Sequence, residues 1–330
     1  MRVWGLAFFL LALGLPAIGQ QETSPPSPTR PPATTSSEQS SPPAANETSK
    51  PEKGPKIDLT PDADGKLSQE QMQQLLRVVA DKYMENDKRQ RDYTYIERDV
   101  DRKLDGKGEV KSTEAKTFEV LEIYGEQVQR LIEKDDKPLS AKDAAKEEDK
   151  IQKVIDKRKN ESEDERRERE EKAEKGREEG RKFVREVSDA YNFKLVGTEL
   201  VGGREAWVID GEPRPGFVPH IKEGKYLSKF RGRVWIDNND LQLAKMNVEC
   251  LDTVSWGLFL ARVHKGTRFM LEQTRMNDEV WLPLHVTAKI GVRLALVKNF
   301  NVDMEQTFRD YKKFRTSAKI VGVSEVQDQK

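Results

Sequence analysis

Between Val280 and Leu296 every even position is apolar: Val280, Leu282, Leu284, Val286, Ala288, Ile290, Val292, Leu294 and Leu296. The odd positions are mixed and include His285, Thr287, Lys289 and Arg293. Side chains of a strand alternate faces with period two, so this run predicts a strand with its even face against an apolar interior. At about 3.3 Å per residue one straight strand of this length would span on the order of 55 Å, which predicts a bend or turn between Gly291 and Asn299. The even rhythm resumes at Phe300, Val302, Met304 and Phe308. Such a chain is committed to a sheet, and its other segments must build, cover or deliver it.

Much of the remainder cannot be core, because charged residues make up 35% of the 330 positions. Lysine plus arginine equal aspartate plus glutamate at 58 each. No basic excess argues for nucleic acid, and none is expected as a partner. The single cysteine, Cys250, excludes an intrachain disulfide and a cysteine-based metal cluster. It follows Ala244, Met246 and Val248 in an alternating run, where a small buried hydrophobe is expected.

The amino terminus has the anatomy of a secretory signal over residues 1–19: Arg2, an apolar run from Leu6 to Leu15, and Ala17-Ile18-Gly19 as a small-x-small cleavage site. No cysteine follows for lipid attachment, which places the mature chain in the periplasm or outside the cell. Residues 20–56 are rich in proline, serine and threonine, with almost no large apolar side chains, and are expected to form a disordered tether. Asp62-Ala63-Asp64-Gly65 invites a calcium-loop interpretation, but position twelve would be Gln71, where a bidentate glutamate should stand. Ser68 and Gln71 instead form a capping box that opens a helix with an apolar stripe at Met72, Leu75, Leu76, Val79 and Tyr83. Strands are expected over Tyr93–Val100, Lys116–Ile123 and Val128–Ile132, separated by turns at Asp105-Gly106-Lys107-Gly108 and Tyr124-Gly125-Glu126.

From 141 to 182 the composition changes abruptly, with 30 of 42 residues charged, 15 of each sign. Acid-to-base pairs four residues apart, such as Glu163/Arg167, Glu165/Arg169 and Glu178/Lys182, support a solvated helix. Ser140 with Asp143 and Ser162 with Glu165 mark two helix starts, predicting a break near Asn160 to Ser162. No heptad seam exists between Asp156 and Lys172, which argues against a coiled coil. Only Phe183, Val187, Ala190 and Tyr191 form a face that should dock on the core.

Beyond Phe193 the pattern is of strands, with Gly202-Gly203 as a tight-hairpin signal and a proline- and glycine-containing rim from Gly211 to Lys225. A single strand is expected over Val254–Val263. Short connections imply a meander of antiparallel neighbours.

A reaction centre is not evident. His220, His264 and His285 are widely spaced and lack a second ligand at helical spacing, so no metal site is expected. Ser228 and Ser255 lack a glycine-framed elbow, and there is no phosphate-binding loop. A non-catalytic protein without a cofactor is the expectation. Trp207, Trp235, Trp256, Phe269 and Trp281 all fall on expected strands. They either close an ordinary core or line an apolar cavity inside a curved sheet, and the sequence alone does not choose.

Gly232-Arg233-Val234-Trp235-Ile236-Asp237, then Leu243-Ala244-Lys245, Gly266-Thr267-Arg268-Phe269 and Val280-Trp281-Leu282-Pro283 resemble, in that order and spacing, periplasmic outer-membrane lipoprotein-sorting and carrier proteins of the LolA/LolB-like superfamily. The resemblance covers roughly Tyr226 to Phe314, and more loosely Leu67 to Ile132. It implies an α+β fold: a curved, unclosed antiparallel β-barrel of about ten strands with covering helices and a cavity for acyl chains. The domain would span 57–315, with the charged insertion at 141–182 and a flexible tail at 316–330. Cavity-lining candidates are Trp207, Trp235, Trp256, Phe269, Trp281, Leu282, Leu284 and Val286. The implied function is a soluble envelope carrier of lipid or of the acyl chain of a lipoprotein, with peripheral membrane contact compatible with that role. The alternative is an envelope protein-interaction or stress-sensor module that uses the charged helix as its docking arm.

Overall fold

A computed structural model describes residues 57–313, apart from 125, 257–260 and 295–297. The signal segment, the tether and the tail from 316 lie outside the described residues. Three α-helices are present among the described residues: α1 (Gln69–Gln90), α2 (Ala141–Lys159) and α3 (Glu163–Ala190), with a 3-10 helix at Lys222–Lys229. The strands are β1 (Tyr93–Leu104), β2 (Val110–Ile123), β3 (Glu126–Lys134), β4 (Lys137–Pro138), β5 (Tyr191–Val201), β6 (Arg204–Pro213) and β7 (Phe230–Asp237), followed by β8 (Leu243–Cys250), β9 (Val254–Trp256), β10 (Ala261–Val263), β11 (Arg268–Met276), β12 (Val280–Leu294) and β13 (Lys298–Lys313).

The helix starts follow their capping chemistry. Ser68 Oγ accepts from the Gln71 N–H at 3.1 Å while Gln71 Oε1 accepts from the Ser68 N–H at 2.8 Å, closing the box that opens α1. Ser162 and Glu165 repeat the device at α3, and Ser140 accepts from the Asp143 N–H at α2. The break between α2 and α3 falls at Asn160–Ser162, as the second box requires. At the hairpin joining β5 to β6, Gly202 and Gly203 have φ of 57° and 79°. Two consecutive left-handed residues match the twist of the flanking strands, and glycine adopts them without a Cβ penalty.

All strands join one antiparallel sheet along the path β4-β3-β2-β1-β13-β12-β11-β8-β7-β6-β5, with β9 and β10 attached through β12. β1 closes onto β13 in a register from Tyr93↔Lys313 to Leu104↔Asn301. The ends of the path, β4 and β5, do not pair with each other, so the barrel is unclosed. Those two strands are neighbours in sequence, and α2 with α3 is the stretch that connects one edge to the other. Curvature is visible where Arg204 on β6 lies 5.6 Å from the ring of Trp281 on β12. Four strand steps separate them along the path, about 19 Å in a flat sheet. This is the architecture that the resemblance implied.

Two expectations need refinement. The stretch Val254–Val263 is not one strand but the β9–β10 hairpin. On β12 the register against β11 slips between Glu272↔His285 and Gln273↔Pro283, so Leu284 has no partner there and is 40% exposed. A β-bulge places two residues against one and breaks strict alternation. Val286 and Ala288 therefore keep the interior side, Leu284 leaves it, and the odd residue Trp281 is buried.

Candidate site beneath helix α1

The interior wall gathers side chains from eight strands: Tyr95, Val120, Ile209, Ile236, Met246, Phe269, Val286 and Phe308. α1 lays Met72, Leu75 and Val79 onto it, and the first two are fully buried. Spacing of three and four residues puts these on one helical face, so a single amphipathic helix seals the wall. Each end of α1 has polar fastenings. Asp189 of α3 accepts from Gln69 at 3.2 Å and Gln73 at 2.7 Å. At the other end Asn86 donates to the Trp281 carbonyl and accepts its N–H, both at 2.7 Å, and Gln90 donates to the same carbonyl. Both side chains are buried, so the amide of Asn86 satisfies backbone that would otherwise be orphaned.

Beside α1, between it and the last turns of α3, lies a cavity of about 550 Å³ lined in part by Leu76, Arg77, Ala80, Arg181, Val184 and Arg185. Its size falls within the range of small-molecule sites. Arg181 also pairs with Glu174, and Asp189 at the rim serves Gln69 and Gln73. The lining thus combines Leu76, Ala80 and Val184 with three guanidinium groups and with the three carboxylates of Glu70, Asp81 and Asp189. α3 is held against the rim by Glu186, whose buried carboxylate accepts from the backbone N–H of His220 at 2.6 Å and of Ile221 at 3.3 Å.

Elsewhere the interior is polar. Glu97 and Asp99 continue the row of Tyr95 on β1. Glu97 accepts from Gln129 at 2.9 Å and from Gln306 at 3.2 Å, and Gln306 also donates to Asp99 at 3.0 Å. Burial pushes the Glu97 carboxyl up to about 8, the neighbouring Asp99 carboxylate adds to the rise, and the Gln129 hydrogen bond opposes it. Burial also raises Asp99 and, further along the strand, Asp101.

The aromatic candidates divide. Phe269 and Val286 belong to the wall beneath α1, and Trp207 packs against it half-buried. Trp235 and Trp281 fall in a separate cluster with Val201, Ala206, Val208 and Ala244. There Trp235 Nε1 donates to Glu199 and lies under Lys245, while Trp281 Nε1 donates to Asp240. Leu282 packs with Tyr93 and Val280. The side chain of Trp256 lies outside the described residues. The structure therefore brings together Trp207, Phe269 and Val286, and leaves Trp235, Trp281, Leu282 and Leu284 elsewhere. Sequence reasoning missed the arginines and the Glu97–Asp99 pair. The pair had a signal, because Tyr93, Tyr95, Glu97 and Asp99 alternate along one strand.

His285 Nε2 lies 3.3 Å from Glu305, and His220 Nδ1 lies 3.3 Å from Glu186. No group of three or more metal-ligating side chains occurs among the described residues.

No family model matches the chain, and no curated protein matches it. Among solved structures it is similar to an outer membrane lipoprotein-sorting protein domain from Vibrio parahaemolyticus, at 10% identity over 74% of this chain and 95% of that one, with a TM-score of 0.30. It is also similar to a LolA superfamily protein from Nitrosomonas europaea, at 9% identity over 75% of this chain and 94% of that one, with a TM-score of 0.27. Likenesses of this size assign neither cargo nor partner.

Proposed function

We propose that the protein is a non-catalytic envelope carrier that takes an acyl chain under α1, with its polar head group held at the α1–α3 groove between guanidinium and carboxylate groups. The observation that supports it is the seal itself. One helix covers an apolar wall drawn from eight strands, and a cavity flanked by Arg77, Arg181 and Arg185 opens beside that helix. Transfer of each methylene from water to such a wall contributes about 0.8 kcal/mol, so a long chain can offset the displacement of α1 without any covalent step. The signal segment supplies the compartment in this proposal.

Titration of the delipidated mature chain with a fluorescent long-chain fatty acid tests it. Saturable binding is expected, weakened at least tenfold in the triple variant Arg77→Glu, Arg181→Glu, Arg185→Glu. Absence of binding up to the solubility limit of the probe would retire the carrier. A second reading rests on α3: from Glu163 to Gly180 it buries no side chain, leaving about 27 Å of charged helix in solvent at 1.5 Å per residue. That segment would serve as a docking arm for an envelope protein. A photoreactive residue at Glu171 should then give one discrete adduct in cells, and no adduct would set this reading aside.

A further inference from the structure

The two edges of the sheet are finished differently. At the β3 edge, Glu147 of α2 accepts from the Leu131 N–H at 3.2 Å, Lys150 donates to the Gln129 carbonyl at 3.4 Å, and Leu139 N–H reaches the Ile132 carbonyl at 3.2 Å. At the β5 edge only the first half is covered. Leu195 N–H donates to the Gly65 carbonyl at 3.0 Å, and Leu67 N–H to the Phe193 carbonyl at 3.2 Å.

Beyond a bulge at Val196 the register with β6 continues as Gly197↔Val208, Thr198↔Trp207, Glu199↔Ala206, Leu200↔Glu205 and Val201↔Arg204. Antiparallel backbone groups alternate between inward and outward. Glu205 carbonyl accepts from Asn238 on the β7 side, so Glu205 and Trp207 face β7, while Val208, Ala206 and Arg204 face β5. It follows that the N–H and C=O groups of Thr198 and Leu200 point away from the sheet. Among the described residues they meet no partner there. Leu200 is 71% exposed, the second most exposed large hydrophobic side chain of the described residues after Val218.

We propose that this half-edge pairs antiparallel with the same segment of a second copy, about a two-fold axis through Leu200. Three centres are available, and two are disfavoured. A centre at Thr198 would place the partner's Val201 against Leu195, where Gly65 already sits. A centre at Glu199 would oppose like carboxylates, which destabilises a cross-strand pair. The centre at Leu200 sets Leu200 against its own copy and Glu199 against Val201 of the partner subunit, and the ladder ends there because Gly202, with φ of 57°, already turns into the hairpin. No like charges face each other, the covered positions Phe193 and Leu195 stay clear, and the exposed leucines pack together. The paired stretch is only Glu199 to Val201, so the dimer is small and reversible rather than obligate.

Single-cysteine crosslinking of the mature full-length chain tests the register, since the one native thiol, Cys250, is buried. Leu200→Cys should form a disulfide-linked dimer under mild oxidant at least tenfold faster than Val218→Cys, a position of matching exposure at another place on the surface. Faster crosslinking at Thr198→Cys or Glu199→Cys overturns the register. Sedimentation equilibrium reads the association itself: a mass rising towards the dimer by a few hundred micromolar is expected, with Leu200→Lys raising the dissociation constant at least tenfold. A wild-type chain that stays monomeric to 1 mM, or a Leu200→Lys dimer of unchanged strength, overturns the proposal.

Discussion

The inner face of the sheet has two kinds of wall. Under α1, Ile209, Ile236, Met246, Phe269 and Val286 meet Met72, Leu75 and Val79, and the contact is wholly apolar. On β1, β3 and β13, one residue beyond Tyr95 in the same row, Glu97 and Asp99 meet Gln129 and Gln306 instead. The first wall gains from excluding water and is indifferent to pH. The second exists only because each carboxyl finds amide donors, and its energy depends on protonation. A helix supplies what the first wall needs; the second supplies its own partners.

The sharpest break of that comparison is a charge beneath α1. Leu75→Asp buries a carboxylate against side chains that offer it no donor, and should lower unfolding free energy by about 4 kcal/mol or more in urea denaturation. A loss below about 1 kcal/mol would mean that α1 does not seal the wall. At the fastened end of the helix, Asn86→Ala removes the acceptor of the buried Trp281 N–H and one donor to its carbonyl, for an expected loss of about 2 kcal/mol. Binding of an acyl probe should tighten in the same variant if displacement of α1 opens the wall.

The polar wall predicts a pH dependence opposite to that of carboxylates held ionised by salt bridges. Glu97 holds its proton more tightly in the folded chain than in the unfolded one, where the usual value is near 4.5. Its contribution is therefore present at acid pH and is lost as pH rises from about 4.5 through about 8. Across that window stability should fall by about 1–2 kcal/mol, scaled down because Asp99 shares the titration. Glu97→Gln should flatten that limb. A wild-type profile already flat between pH 5 and 8 would remove the distinction between the walls.

How much of this was legible before the fold depends on the range of the interaction. The capping boxes at Ser68 and Ser162, the break at Asn160 and the Gly202-Gly203 hairpin each act over four residues or fewer, and all stand as their sequences indicate. The pairing of β1 with β13 joins Tyr93 to Lys313, and no local pattern announces a contact across that much chain. The bulge at Leu284 was hidden for a related reason: even-position alternation looks the same with or without a slip in the partner strand. For the Trp residues, strand membership does not say which cluster a side chain joins; Trp207 and Trp235 lie on adjacent strands yet pack in different clusters. The groove arginines sit on helices whose charges are solvated elsewhere, so only the crossing of α1 and α3 gathers Arg77 with Arg181 and Arg185.

The smallest effect separates a polar contact from a packing one. Gln129 donates to Glu97 at 2.9 Å, and this bond favours the ionised carboxyl. A hydrogen bond to a charged group contributes about 1.5–3 kcal/mol and one to a neutral group about 0.5–1.5. Gln129→Leu should therefore cost about 1 kcal/mol more at pH 9, where Glu97 is ionised, than at pH 5, where it is protonated. The added apolar surface is common to both conditions and cancels in the difference. An equal cost at the two pH values would make Gln129 a space-filler and the second wall no different in kind from the first.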